Sequence, residues 1–157
     1  KLPLQRRVSA RGDVQVLLDQ STRMDPFVED QIHIVKSLYR LLPDERLQVR
    51  YCQSSPPDEA IKLSRRSGYR YPPRGTLVLL ISDLGQGGGL FAPYVPDPEQ
   101  WVDFASRLAA RGCDFLVLAP VSPDRIDKRL SRHLAIIPWD RRFSAAAIRA
   151  HHKYRGY

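Results

Sequence analysis

At 157 residues and 43% hydrophobic, the chain is long enough to bury a core without disulfides, and one globular unit is expected. No apolar stretch approaches a bilayer span and Lys1-Leu2-Pro3-Leu4-Gln5-Arg6-Arg7 lacks a signal-peptide core, so a cytoplasmic protein with no membrane partner is expected. The net charge of +8 raises an acidic partner such as nucleic acid, although the basic residues are scattered rather than gathered in one stripe.

The chain begins at Lys1 without Met, which suggests a piece of a longer multidomain protein. Val14-Gln15-Val16-Leu17-Leu18 is short, apolar and partly β-branched, so it reads as a buried strand closed by Asp19. Asp25-Pro26 reads as a helix start, with Asp as N-cap and Pro in the first helical position. Phe27, Gln31, Ile34, Val35, Leu38, Leu41 and Leu42 then recur at helical spacing as far as Pro43. Residues 47–52 alternate like a half-exposed strand. Residues 54–75, rich in Pro, Arg, Ser and Gly, read as an irregular insertion with a short edge strand near 68–71.

Leu77-Val78-Leu79-Leu80-Ile81 is apolar on both faces, as a central parallel strand must be, and Asp83 closes it. A Gly- and Pro-rich loop follows. Residues 99–111 then place Trp101, Ala105, Leu108 and Ala109 on one helix face, with Gly112 as a left-handed cap. Residues 115–118 form the next strand, 124–131 a short helix, 134–137 the last strand and 144–154 a terminal helix. Cys52 and Cys113 lack metal-ligand spacing and read as reduced, half-buried thiols. Alternating strands and helices predict a three-layer α/β/α sandwich with a Rossmann-like, mostly parallel sheet.

If the strands ending at Asp19 and Asp83 are neighbours, both carboxylates and the Ser21 hydroxyl meet at one sheet edge, where open α/β sheets bind ligands. Such oxygens suit Mg2+, with water completing the shell.

On Asp19-Gln20-Ser21-Thr22-Arg23, the apolar strand ending Ser82-Asp83-Leu84-Gly85 and the order of elements over residues 12–140, the chain resembles a von Willebrand factor A domain. The family's metal-ion-dependent adhesion site is Asp-x-Ser-x-Ser, a Thr from a later loop and a second Asp. The resemblance therefore implies a metal at Asp19, Ser21 and Asp83, with Thr22, Arg23, Gly85 and Gln86 on the rim meeting an acidic side chain of a partner. Arg23 stands where the family has its second Ser, and only Ser54 or Ser55 could replace the Thr. A guanidinium about 5 Å from a divalent ion costs several kcal/mol even at an effective dielectric near 20. Two alternatives follow: Mg2+ is bound with Arg23 swung away, or Arg23 lies across the carboxylates as a built-in cation and no metal binds.

Other readings are plainer. Asp19 and Asp83 could each serve only as turn residues. The run from Gly85 to Gly89 lacks the Lys-Ser/Thr of a phosphate loop, and His33, His133, His151 and His152 have no ligand spacing. A phosphatase or hydrolase would need a second acid where Ser21 stands, or a His base for Ser21 or Cys113. Arg65, Arg66, Tyr69, Arg70, Tyr71 and Arg74 interleave charge and aromatic rings as a nucleic-acid grip would. The expectation is a non-catalytic interaction or scaffolding module whose partner is another protein or another domain of a longer bacterial chain. The resemblance extends to A-like segments of bacterial defence or signalling proteins.

Overall fold

The computed structural model describes residues 12–59, 68–86 and 97–139. Five strands form one sheet: β1 (Val14–Asp19), β2 (Leu47–Cys52), β3 (Leu77–Ile81), β4 (Asp114–Ala119) and β5 (Ala135–Pro138). Their order is β2-β1-β3-β4-β5 and every neighbouring pair is parallel. The Rossmann-like α/β fold follows from the apolar runs. All of β1 and β3 is buried, because parallel strands are covered on both faces.

Helix α1 (Val28–Leu41) lays Ile34 and Leu38 on one face of the sheet, against Val16, Leu79 and Leu118. Helices α2 (Pro98–Ala110) and α3 (Lys128–His133) cover the other with Trp101, Phe104, Leu108 and Leu130, against Leu80 and Val117. Trp101 and Phe104 are therefore core. Asp97 caps α2 by accepting the Glu99 N–H at 3.0 Å. Gly112 ends the helix at φ +74°, its N–H donating to Ala109 O at 2.9 Å. Among the described residues no helix is long and apolar enough to cross a membrane.

The structure corrects several expectations. Asp25 and Pro26 do not cap α1; they sit inside a 3-10 segment, Thr22–Phe27, that buries Met24 completely and so delays the helix. Leu41 is 42% exposed and Ala109 is exposed, because the buried arc of each helix is narrower than the apolar pattern. Residues 68–71 pair with no strand; their anchor is the Tyr69 side chain, buried beside Leu17 and Phe104. The expected helix over 124–131 divides into a 3-10 turn, Pro123–Arg125, and α3, for which Asp127 is the cap. The terminal helix over 144–154 and the glycines at 87–89 lie outside the described residues.

Candidate functional site

The chain leaves β1 to form β2 on one side and later returns as β3 on the other, so the C-terminal ends of β1 and β3 flank a topological switch point. Asp19, the last residue of β1, is completely buried there. Its Oδ1 accepts the backbone N–H of Ser21 at 2.9 Å and of Ser54 at 3.2 Å, and its Oδ2 accepts the Ser82 hydroxyl at 2.6 Å. Ser82 Oγ in turn accepts the Leu84 N–H at 2.9 Å. Gln31, buried on the inner face of α1, donates to the Asp19 carbonyl at 3.1 Å. One carboxylate thus ties together the exits of β1, β2 and β3.

Ser54 and Leu84 both hold left-handed backbone, at φ +60° and +55°. Side chains there cost about 1–2 kcal/mol each. Both N–H groups point into the Asp19–Ser82 network, and Leu84 buries its side chain in the core, which offsets that strain.

Asp83 is 3% exposed and uses its oxygens separately. Oδ1 accepts the Gly85 N–H at 2.8 Å, closing a turn, and Oδ2 takes Arg23 Nε at 3.1 Å. The terminal nitrogen Nη2 of Arg23 donates to Ser54 Oγ at 2.9 Å. The 3-10 segment after β1 thereby swings Arg23 across the crevice to the acid after β3. Asp19, Ser21, Arg23 and Asp83 are brought together as the sequence pattern expects. Thr22 is exposed at the rim, whereas Gly85 is buried. Gln86 turns sideways: its Oε1 accepts the Asp127 N–H at 3.1 Å, fastening the β3 exit to the cap of α3.

Beside Arg23 and Asp83 opens a cleft of about 200 Å³. Phe27, Pro120 and Val121 form its apolar walls, and Ser122 and Arg125, after β4, add polar groups. Arg125 is exposed. These residues carry no motif of their own; their signal is position, since in a parallel sheet the loop after β4 opens on the same edge as Asp19 and Asp83. Gln31 and Ser82 likewise read as a helix residue and a strand end until the sheet brings them to Asp19.

A hard divalent cation needs several oxygens at about 2.0–2.6 Å with no cation among them. Here each oxygen of Asp19 and Asp83 already accepts from a protein donor, and a guanidinium touches Asp83. The Ser21 hydroxyl is the one member of the expected set that is buried without a hydrogen-bond partner. Among the described residues no three His, Cys, Asp or Glu side chains are grouped to hold a metal. In this arrangement the residues do not fit Mg2+. Cys52, paired in register with Asp19, has its thiol pushed far up by burial and secondarily by the Asp19 charge, which leaves it an inert neighbour.

The insertion divides between the two ends of the sheet. Ser54 lies at the crevice, whereas Tyr69 donates to Gln15 Oε1 at 2.8 Å near the start of β1. Tyr69 is 7% exposed. Tyr71 donates to the buried Asp58, and its ring is covered by the Arg111 guanidinium 3.9 Å from the centroid. The stacking platform expected of Tyr69 and Tyr71 is therefore corrected: Tyr69 is buried in the core, and half-buried Tyr71 has a ring face covered by Arg111 and its hydroxyl held by Asp58. Arg70 and Arg74 are exposed, and Arg65 and Arg66 lie outside the described residues. Compared with family models, curated proteins and solved structures, the chain has no match.

Proposed function

We propose that this chain is a non-catalytic, A-domain-like interaction module that meets another protein, or another domain of a longer polypeptide, at the C-terminal edge of its sheet. An Arg23–Asp83 pair takes the place of the metal. The observation that carries this reading is the Arg23 guanidinium, 3.1 Å from Asp83 and 2.9 Å from Ser54, with Asp19 locked behind it by three donors. A charged pair at a sheet edge beside an open cleft is costly to hold without a use, since desolvating both groups offsets much of their attraction.

The absence of a hydrogen-bond partner for Ser21 Oγ argues against its being an activated nucleophile, which would need a base within reach. The nucleic-acid alternative loses support with Tyr69 buried and a face of Tyr71 covered by Arg111. A test is photo-cross-linking from residue 22, exposed at the rim, with exposed Lys36 on α1 as the control position. Discrete adducts from position 22, absent from position 36 and lost in a folded Arg23→Ser variant, are expected. Equal adducts from both positions, or none from position 22, would overturn the reading.

A further inference from the structure

Independently of the crevice at Asp19 and Asp83, we infer that the outer flank of α1 joins two copies of this chain, helix against helix in antiparallel sense about a two-fold axis. The helix carries two apolar stripes. Gln31, Ile34 and Leu38 face the sheet and are buried. Val28, Ile32, Val35 and Tyr39 run beside them at steps of four, three and four, the spacing of a coiled-coil seam. Val35 is half-buried against the core, whereas Val28, Ile32 and Tyr39 are 44, 48 and 43% exposed. Exposed apolar residues scattered singly are ordinary, but three in register on one helix flank form a continuous surface. Tyr51, 58% exposed, extends it: Leu47 and Val49 of β2 pack in the core on the α1 side, so by strand alternation Tyr51 points the same way.

Spacing, charge and area select a second copy as the occupant. Steps of four, three and four read the same from either end, so the stripe matches itself when reversed, as an isologous contact requires. Val28 then meets Tyr39, and Ile32 meets Val35, of the second copy. Exposed Glu29 and Lys36 border the seam on one side, and reversal sets Glu29 opposite Lys36 of the second copy, twice by symmetry. A parallel pair would instead turn both toward Gln31 and Leu38, which are buried against the sheet. The exposed side chains amount to roughly 400 Å² per copy. A standard interface buries about 800 Å² per partner, a little over half of it apolar, so the stripe supplies that share. The open edge of β2 is itself guarded against an added strand. Cys52 O turns toward β1, accepting the Gln20 N–H at 2.9 Å, so Val49 O, three residues back, faces outward, and Arg50 Nη1 donates to it at 3.1 Å.

The test is sedimentation equilibrium of the whole chain at about 0.15 M salt, where the net charge of +8 on each copy is screened beyond about 8 Å. A reversible dimer with a micromolar midpoint is expected. Ile32→Lys, an exposed change, should raise that midpoint about tenfold or more while leaving the thermal melt of the dilute monomer unchanged. Glu29→Lys and Lys36→Glu should each raise it roughly fivefold, and the double variant should restore the wild-type value. A chain that stays monomeric throughout would overturn the proposal. So would a dimer indifferent to Ile32→Lys, which places association on another surface, or one that Ile32→Lys weakens but the charge reversals do not, which removes the antiparallel contact. Cross-links from position 36, beside the stripe, should join two copies and carry twice the mass of the chain, distinct from the adducts of position 22. A different protein captured there instead would overturn the second copy as occupant.

Discussion

Arg23 is the residue on which the site turns. Its Nε meets a carboxylate that is 3% exposed, and its Nη2 meets Ser54, whose backbone N–H is held by Asp19. Removing one partner of a buried pair strands the other charge, which costs about 3–5 kcal/mol. Arg23→Ser should therefore lose close to that stability in urea melts. It also leaves Asp83 and the orphaned Ser21 hydroxyl as open oxygen donors. Calorimetric titration with Mg2+ is expected to give no saturable heat with wild type and a measurable one with Arg23→Ser, together with partial recovery of stability. Saturable Mg2+ binding by wild type that Asp19→Ala removes would mean that the arginine does not replace the metal. The Asp-x-Ser pattern and its arginine departure were legible in the sequence. The donors that occupy Asp19 were not, because they come from three chain segments that only the sheet assembles.

At the scale of elements, the insertion between β2 and β3 is held by a buried clasp on α2. Asp58, with no exposed surface, receives two donors from Arg107, at 2.6 and 3.0 Å, and the Tyr71 hydroxyl besides. One turn on from Arg107, at the C-cap of α2, Arg111 lies over the Tyr71 ring, and Arg74 packs so closely on Gly112 that a Cβ there would meet its Cγ at 2.7 Å. Asp58 holds Arg107 strongly in its charged form, mainly through the hydrogen bond. Asp58→Ala would leave the Tyr71 phenol without its acceptor and Arg107 with only the looser Glu59 pair at 3.9 Å. A loss of about 2–4 kcal/mol is expected in denaturant melts, toward the lower end because Arg107 is 28% exposed. A loss under about 1 kcal/mol, the scale of a surface pair, would show that the clasp is not structural. The sequence marks this segment as irregular, correctly, yet its aromatic and basic residues suggested an outward-facing grip. Tyr69 and Tyr71 turn inward because Gln15 and Asp58 offer acceptors that no local pattern announces.

For the molecule as a whole, the groups among the described residues that burial shifts upward are two thiols and two phenols. Burial raises Cys52 and Tyr69 from ordinary values of 9.0 and 10.0, and raises Cys113 and Tyr71 as well. Each is neutral in the folded state where the unfolded chain would ionise, so above the ordinary values the unfolded state binds fewer protons. Their stabilising contribution is therefore complete below about pH 9 and declines as pH rises through the range where unfolded thiols and then phenols ionise. Thermal melts should show the midpoint falling from about pH 9 upward, with both thiols unreactive toward iodoacetamide until the protein unfolds. A midpoint that holds steady or rises over that range would contradict the buried placement of these groups.

The sequence by itself determined the class of architecture. Two short strands apolar on both faces can be buried only in a parallel sheet covered by helices, and their terminal acids then fall on one edge. Hydrophobic period and the glycine at position 112 suffice for that, because both act within a few residues of chain. Tertiary structure alone decided what the edge is made of: Ser82 and Ser54 closing on Asp19, Gln31 reaching in from α1, Gln86 reaching to α3 and Arg125 joining the cleft from the far side of β3. Those contacts join residues far apart in the chain, and a polar side chain's partner is set by where the strands end rather than by its neighbours in sequence.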